Sequence, residues 1–318
     1  MKLFLDCGAP SLYNNLAREK KSKGIMGSFL ADRKKDSFEF LETSEYKDYK
    51  KKYIQFLVEN AREFDLYTNL DIINNPEETW KNQLEFESYG LKPIPVFHFG
   101  SDIYWLKMLL EKRYDYIAMG GFIPNPVSVL QPALDDMWSN ILTDKKGFPI
   151  VKVHGFAVTS ARLVMRYPWY SCDSTSWAKI GIYGGICVPR NKNGRRYYGK
   201  SPHIVFLSNR SGKRLDVDGK HFDNLTKSEK EMVIQYLDEL KIPLGKSSIK
   251  KVCENYVLAE NEQWWNEGEQ EVEVIEERGA MNQFEYRNRA NIFFYLNLQK
   301  EAPKWPWPFI QSIKGFGL

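Results

Sequence analysis

The sequence has few cysteines, no long apolar run and no large excess of charge of either sign. Cys7, Cys172, Cys187 and Cys253 share no short spacing, which argues against a zinc site. So few cysteines in 318 residues are typical of a reducing compartment. No stretch reaches the roughly 18 apolar residues of a spanning helix, and Asp6 interrupts the apolar start that a signal peptide needs. We therefore expect a cytoplasmic protein with neither a membrane partner nor a bound metal.

The charge balance excludes other classes of protein. Lys and Arg exceed Asp and Glu by 45 to 41, and this net charge of +4 is too small to mark a strongly polyanion-binding chain. Hydrophobic residues at 43% and charged residues at 27% exclude a disordered tail and a coiled-coil rod. The aromatic content of 14% suits both core packing and base stacking. The distribution of charge therefore matters more than its sum.

Short β-type runs alternate with amphipathic stretches along the first half of the chain. The predicted strands are residues 2–6, 66–71, 94–99, 116–120, 150–155 and 169–173, followed by 180–188 and 203–208. The predicted helices are residues 46–64, 76–89, 103–113, 127–142, 160–166 and 227–240. This alternation implies parallel strands with helical crossovers and predicts an α/β protein, a (β/α)8 TIM-like barrel with insertions. A doubly wound open sheet is the alternative, but no GxGxxG or GxxxxGK[ST] motif follows a strand.

Segments outside this repeat complete the predicted organisation. Residues 1–245 are expected to form the barrel, with a lid-like insertion at 20–45, and residues 246–318 a helical C-terminal extension packed on it. The segment 190–214 has no acid and eight basic residues, namely Arg190, Lys192, Arg195, Arg196, Lys200, Arg210, Lys213 and Arg214. Cations interleaved with aromatics suit a nucleic-acid backbone with a stacked base, and a solvated loop is the alternative.

Three carboxylates end predicted strands. Asp6, Asp71 and Asp173 close the runs LFLD, YTNLD and WYSCD. Barrel enzymes place their chemistry at the carboxyl ends of strands, and an acid there must be solvated or paired. Any one of the three could be an ordinary loop or helix cap. Three on one face suit a reaction through a cationic, sugar-like transition state, in which one carboxylate attacks the anomeric carbon and another moves a proton.

Asp173 is the candidate nucleophile, because it lies in YSCDSTSW among small hydroxyl residues. Those hydroxyls could hold its carboxylate ionised and oriented, or they could cap the following turn. Strand alternation predicts that Cys7 and Cys172 point away from the pocket and pack in the core.

Candidate contacts for a planar base lie on other strands. Gly120 and Gly121 could expose bare backbone to a heterocycle, or they could form a turn. His98 and His154 each lie late in a strand, where a histidine is either a core residue or a base contact. Base contact is the hypothesis that we carry forward for all four.

The motifs that hold these residues resemble the tRNA-guanine transglycosylase superfamily, most of all its phage and bacterial branch, the DNA 7-deazaguanine transglycosylases. KVHGFAVTSARLVMRYPWYSCDSTSW resembles the branch's segment that ends in the nucleophilic aspartate, and LFLDCGA resembles the superfamily's DSGG motif. YTNLDII, AMGG and PVFHFG resemble its base-reading segments. The resemblance covers roughly residues 1–210.

The resemblance implies exchange of guanine in DNA for a free 7-deazaguanine base such as preQ0, without a cofactor, in a bacterial cell and encoded by the bacterium or a phage. Asp173 would form the covalent intermediate, Asp6 would transfer protons, and the base would be read by Asp71, His98, Gly120, Gly121 and His154. DCGA replaces DSGG, and the closely spaced cysteines of the tRNA enzymes' zinc subdomain are missing, which favours DNA over tRNA. The alternatives are the same exchange on tRNA, a barrel hydrolase of nucleosides or glycosides, and a non-catalytic nucleic-acid-binding module.

Overall fold

The computed structural model describes residues 3–8, 40–123, 125–211, 220–266, 268 and 270–310. Contacts divide the chain into two compact units. Unit 1 comprises Met1–Val158, Tyr167–Asp173 and Trp305–Leu318, and unit 2 comprises Thr159–Arg166 and Ser174–Lys304. The domain boundary at residue 245 stays a prediction.

Unit 1 alternates strands and helices. Its elements are β1 (Phe4–Leu5), α1 (Ser44–Asn60), β2 (Leu66–Tyr67), α2 (Pro76–Ser88), β3 (Val96–His98), α3 (Ile103–Glu111), β4 (Tyr116–Gly120), α4 (Val127–Asn140), β5 (Lys152–Gly155) and β6 (Ser171–Cys172). Side-chain caps fix where the helices begin. The Thr43 hydroxyl accepts from the Tyr46 N–H at α1, and the Asn75 amide oxygen accepts from the Glu78 N–H at α2.

The strands of unit 1 are parallel and lie side by side in chain order. β1 pairs with β2, and β3, β4, β5 and β6 form a four-stranded sheet. A parallel bridge between Thr68 and Ile94 connects the end of β2 to the approach to β3. A doubly wound sheet would reverse its order in the middle, and this one does not. The predicted α/β class with parallel strands is confirmed, although the strands described do not close into a barrel.

The sheet of unit 1 is strongly curled. The Phe4 ring of β1 lies 4.7 Å from the His154 ring of β5 and 6.3 Å from the Phe156 ring, between centroids. Four strand spacings in a flat sheet would separate β1 from β5 by about 19 Å. Phe4 and Phe156 pack with Val96 and Ala118 in one apolar cluster. Side chains of β1, β3 and β4 therefore pack together on one face of the curled sheet.

Unit 2 is mixed, and the strand pairs described in it are antiparallel. Its elements are α5 (Ala161–Arg166), α6 (Ser176–Ile182), β7 (Gly185–Val188), β8 (Arg190–Lys192), β9 (Arg195–Tyr197), β10 (His203–Phe206), α7 (Lys227–Glu239), β11 (Lys246–Lys251), β12 (Glu262–Asn266), β13 (Glu271–Glu277) and α8 (Phe284–Glu301). β7 pairs with β10, β8 with β9, and β13 lies between β11 and β12.

Two buried polar side chains of helix α8 form hydrogen bonds with backbone groups elsewhere in unit 2. The Asn291 amide accepts from the Cys187 N–H and donates to the Gly185 carbonyl. Arg287 donates to the Gly181 carbonyl, and burial lowers the pKa of its guanidinium to about 10. These bonds satisfy backbone groups that burial would otherwise leave unpaired. No helix in the part described is long and apolar enough to cross a membrane.

Two predicted elements are wrong. Residues 180–188 were expected to be one strand, but α6 extends to Ile182 and only Gly185–Val188 is extended. Residues 246–318 were expected to be helical, yet 246–277 form the three-stranded sheet and α8 alone is a long helix. The run EVEVIEE of β13 alternates charged and β-branched residues, which is a strand period that its high glutamate content obscures. Of the predicted lid at 20–45, residues 20–39 lie outside the described residues.

Candidate active site

The three predicted carboxylates lie at the same edge of the unit 1 sheet. Asp6 follows β1, Asp71 follows the bridge beyond β2, and Asp173 follows β6, each at the carboxyl end. Asp6 is exposed as a residue, yet desolvation is the largest cause that raises the pKa of its carboxyl group. The negative charges of Asp71 and Asp173 raise that pKa further, against hydrogen bonds from the backbone of Gly8 and Cys7. Asp71 and Asp173 therefore lie close enough to Asp6 to act on it electrostatically.

Asp71 is a buried carboxylate whose two oxygens both have partners. Its Oδ2 lies 2.8 Å from Nε2 of His98, and its Oδ1 accepts from the Cys7 thiol at 2.9 Å. Burial alone would raise the pKa of Asp71, but the hydrogen bonds from His98 and Cys7 and the His98 charge outweigh it and lower the pKa. Asp71 is therefore held ionised. Cys7 packs in the core as predicted, but its thiol turns toward the site rather than away from it.

Asp173 is an exposed residue, as Asp6 is. Its side chain is 45% exposed, and its Oδ1 accepts from the Ala157 N–H at 2.9 Å. Ala157 has a φ of 58°, so the turn after β5 is left-handed there. The Asp173 Oδ2 lies 3.8 Å from Nε2 of His154, beyond hydrogen-bond distance. Oδ2 thus accepts no hydrogen bond from the residues described.

The hydroxyl groups near Asp173 form hydrogen bonds with groups other than its carboxylate. The Ser171 Oγ lies 2.6 Å from Nδ1 of His154. The Ser174 Oγ accepts from the Ser176 N–H at 3.0 Å, which is the capping role that was the alternative. The expectation that hydroxyls orient the carboxylate is corrected, because a backbone N–H does so.

His154 is a core histidine that faces the site with one nitrogen. Its residue is 1% exposed, and its ring lies 4.7 Å from the rings of both Phe4 and Phe156, edge to face. Its Nε2 has no hydrogen-bond partner among the residues described. His98, on β3, is equally buried and pairs with Asp71. Contact of either imidazole with a base stays a prediction, and the structure shows each beside a carboxylate.

The glycine pair lies at the end of β4. Gly121 has a φ of 77°, and a Cβ there would approach the Phe99 backbone nitrogen to 3.1 Å. Gly120 lies in the strand, where a Cβ would make ordinary contacts of 3.5 Å with the His98 ring and 3.6 Å with that of Phe156. The backbone therefore requires glycine at Gly121, as the turn interpretation holds, and base contact at both positions stays a prediction.

The first third of the basic segment of unit 2, residues 190–197, forms a hairpin. β8 and β9 are joined through Asn193 and Gly194, both in the left-handed region. Arg196 donates to both oxygens of Glu239 at 3.1 and 3.2 Å and lies over the Tyr236 ring. Arg196 is therefore already engaged within unit 2.

The remaining basic residues differ in what they contact. Arg190 donates to the Ser201 carbonyl and Arg210 to the Trp264 carbonyl. Arg190, Arg195, Lys200 and Arg210 are exposed. Lys192 lies in β8, and Lys213 and Arg214 fall outside the described residues. Nucleic-acid binding by this segment stays a prediction.

The sequence did not predict the contacts that four residues make at the site. Tyr116 and Ser171, at the starts of β4 and β6, hydrogen bond to each other across β5, and only the register of these three strands could have paired them. Cys7 lies one residue after Asp6 in LFLDCGA. The Ala157 N–H carries no side-chain signature, so nothing in the sequence points to it.

Comparisons with known proteins add no relative. No protein family, no curated protein and no solved structure matches this chain. No group of three or more His, Cys, Asp or Glu that could hold a metal ion occurs within the described ranges. Inference about function therefore rests on the motifs and on the geometry of unit 1.

Proposed function

We propose that this protein exchanges guanine in DNA for a free 7-deazaguanine base through a covalent glycosyl ester on Asp173. The observation that supports it is the difference among three carboxylates at one sheet edge. Asp71 is buried and ionised, Asp6 has a raised pKa, and Asp173 is exposed with one oxygen unengaged. Environments that separate neighbouring carboxyl groups in this way are typical of acid–base and nucleophilic roles.

In the first half-reaction the target deoxyguanosine is flipped toward the sheet edge, at a cost of a few kcal/mol. The Asp173 Oδ2 attacks the anomeric carbon and the bond from that carbon to guanine breaks. The electron pair leaves with the guanine, which takes a proton from Asp6. The raised pKa of Asp6 supports this role, because it keeps more of the carboxyl group protonated.

In the second half-reaction the incoming 7-deazaguanine base gives a proton to Asp6 and attacks the anomeric carbon with the freed ring nitrogen. The ester bond to Asp173 breaks and its electron pair returns to the carboxylate. Two inversions retain the configuration of the sugar, and Asp6 regains its proton. The chemistry needs no cofactor, because the nucleophile is a carboxylate and each proton lost is regained.

In this scheme Asp71 supports base recognition although it is buried. Its residue is 8% exposed, so it reaches a base with little of its surface, and its ionised carboxylate, paired with His98, would lie behind the base. The backbone of Gly120 and Gly121, at the end of the adjacent strand β4, would line the plane of the heterocycle.

The fold that we infer for this function is the (β/α)8 barrel. Six parallel strands in chain order support it, as does the contact of Phe4 with His154 across the curled sheet. A barrel gathers the carboxyl ends of its strands around one mouth, which is where the three acids would act.

DNA is the substrate that we favour, in the bacterial cytoplasm. Exposed Arg190, Arg195, Lys200 and Arg210 would contact phosphates of the strand. The sequence lacks the closely spaced cysteines of a zinc subdomain, which counts against docking of tRNA.

The test incubates the protein with labelled preQ0 and, in separate reactions, guanine-containing DNA and tRNA. We expect label in DNA, and none with Asp173→Ala at an unchanged melting temperature. Label in tRNA alone would support the tRNA alternative, and release of free guanine without incorporation would support a hydrolase. Salt-dependent DNA binding without exchange, indifferent to changes at Asp6 and Asp173, would reduce the protein to a binding module.

A further inference from the structure

A chain of polar side chains leads from the interior of unit 1 toward Asp173. The Tyr116 hydroxyl lies 2.5 Å from Ser171 Oγ, which lies 2.6 Å from Nδ1 of His154. The other ring nitrogen of His154 faces Asp173 at 3.8 Å. We propose that Tyr116, Ser171 and His154 form a positioning relay that points an N–H of His154 at Asp173 and stabilises its carboxylate as the leaving group. This inference rests on the proposed function.

The direction of the hydrogen bonds follows from what each group can donate. Burial raises the pKa of the Tyr116 hydroxyl to about 12, so it stays protonated, and Ser171 is the one acceptor described for it. With that bond accepted, the Ser171 hydroxyl donates its own proton to Nδ1 of His154. A neutral imidazole carries one proton, so it then resides on Nε2, the nitrogen that faces Asp173.

Packing prevents the imidazole from turning away. The ring packs edge to face against both Phe4 and Phe156, and the residue is 1% exposed. Its Nε2 is buried without a hydrogen-bond partner among the residues described. A buried donor without a partner is unfavourable, and approach of the Asp173 carboxylate removes that cost. Catalytic hydrogen bonds are often long before the substrate binds and shorten in the complex.

The relay should act on one half-reaction more than the other. When Asp173 attacks, its negative charge is consumed, so a hydrogen bond from His154 gives no advantage. When the glycosyl ester breaks, negative charge develops on the Asp173 oxygen, and a fixed N–H at that place stabilises the transition state. Loss of the relay should therefore slow release of the ester and leave its formation nearly unchanged.

The kinetic test separates the two half-reactions with three variants. Ser171→Ala interrupts the relay, Tyr116→Phe removes its first donor, and Ser171→Thr keeps the hydroxyl. Each is mixed with a guanine-containing oligonucleotide to form the covalent adduct and then chased with preQ0. For Ser171→Ala we expect a chase slowed about tenfold or more and adduct formation within about threefold of wild type, with Ser171→Thr restoring the chase. Tyr116→Phe, which keeps the ring packing, should show a smaller slowing and serves if Ser171→Ala does not fold.

A second measurement needs no substrate. Nitrogen chemical shifts of the His154 ring in the free protein should report the Nε2–H tautomer in wild type and a shift toward Nδ1–H in Ser171→Ala. A wild-type Nδ1–H tautomer, or a chase unchanged by Ser171→Ala and Tyr116→Phe, would overturn the relay while the exchange activity stands. A wild-type protein that forms no adduct and exchanges no base would overturn the proposed function and the relay with it.

Discussion

Two aspartate–histidine pairs lie at the same edge of the unit 1 sheet, and they differ in the distance between the partners and in the burial of the aspartate. Asp71 and His98 are 2.8 Å apart, and both are buried. Asp173 and His154 are 3.8 Å apart, and the aspartate is 45% exposed. The same residue types in the same kind of position thus form one closed pair and one open pair.

The difference shows how burial assigns roles. A buried carboxylate must be compensated, so Asp71 takes hydrogen bonds from His98 and Cys7 and its pKa falls. An exposed carboxylate is partly solvated and needs fewer hydrogen bonds from the protein. One N–H from Ala157 therefore orients Asp173 and leaves an oxygen available. We therefore expect the closed pair to contribute to stability, and we assign the reaction to the open pair in the proposed function.

The largest expected effect comes from the open pair. Asp173→Asn removes the nucleophile but keeps the size of an exposed side chain, so base exchange should fall by more than about 10³-fold. The melting temperature should stay within about 2 °C of wild type, because exposed substitutions cost little. Exchange rate and thermal unfolding measured on one preparation check this. Retained activity would remove Asp173 from the reaction.

A substitution in the closed pair should lower the stability of the protein. Asp71→Asn removes one partner of a buried pair, and we expect a loss of about 3 kcal/mol in the free energy of unfolding, measured with urea. The folded-state pKa of Asp71 is below its ordinary 3.8, so its contribution is complete above pH 3.8 and is lost as the pH falls through the folded-state value.

A matched control for the closed pair is Cys7→Ser, which keeps a donor to Asp71 and should cost less than Asp71→Asn. If Asp71→Asn were as stable as wild type at neutral pH, the buried pair would contribute nothing and the contrast between the two pairs would fail.

The glycines beside His98 give a smaller effect. Gly121→Ala forces a side chain into left-handed backbone against Phe99 and should cost about 1–2 kcal/mol. Gly120→Ala meets only ordinary contacts and should cost less. Urea unfolding of the two variants side by side checks the order, and equal costs would contradict the backbone account of Gly121.

The smallest expected change lies at Asp6, whose charge is disfavoured first by desolvation and then by the carboxylates of Asp71 and Asp173. Its folded-state pKa is above 3.8, so wild type loses stability as the pH rises from 3.8 through that value. Asp6→Asn avoids this loss and should melt at a higher temperature at pH 7, with a gap that narrows as the pH falls toward 3.8. Melting curves over that range test it, and a lower melting temperature at pH 7 would show that the three carboxylates are not coupled.

Sequence alone predicted the strands of unit 1 well, since apolar and β-branched runs ended by acids have few other interpretations. It also predicted that Asp6, Asp71 and Asp173 would meet, because carboxyl ends of parallel strands share an edge. It could not predict which aspartate would be buried, since LFLD, YTNLD and WYSCD look alike and burial depends on the helices packed around them.

Other features of the site had no readable signal. The Ala157 N–H that orients Asp173 belongs to the backbone, and the pairing of Ser171 with Tyr116 depends on the register of two strands separated by β5. The sheet formed by β11, β12 and β13 was missed because residues 246–318 were expected to be helical and the high glutamate content of β13 obscures its strand period.

The most direct measurement of the central claim is the mass of denatured protein after incubation with a guanine-containing oligonucleotide and no free base. We predict a species heavier by the oligonucleotide less one guanine, with the attachment mapping to the peptide that contains Asp173, and no such species for Asp173→Asn. Base exchange that proceeds without any covalent species, or an attachment at another residue, would contradict the account.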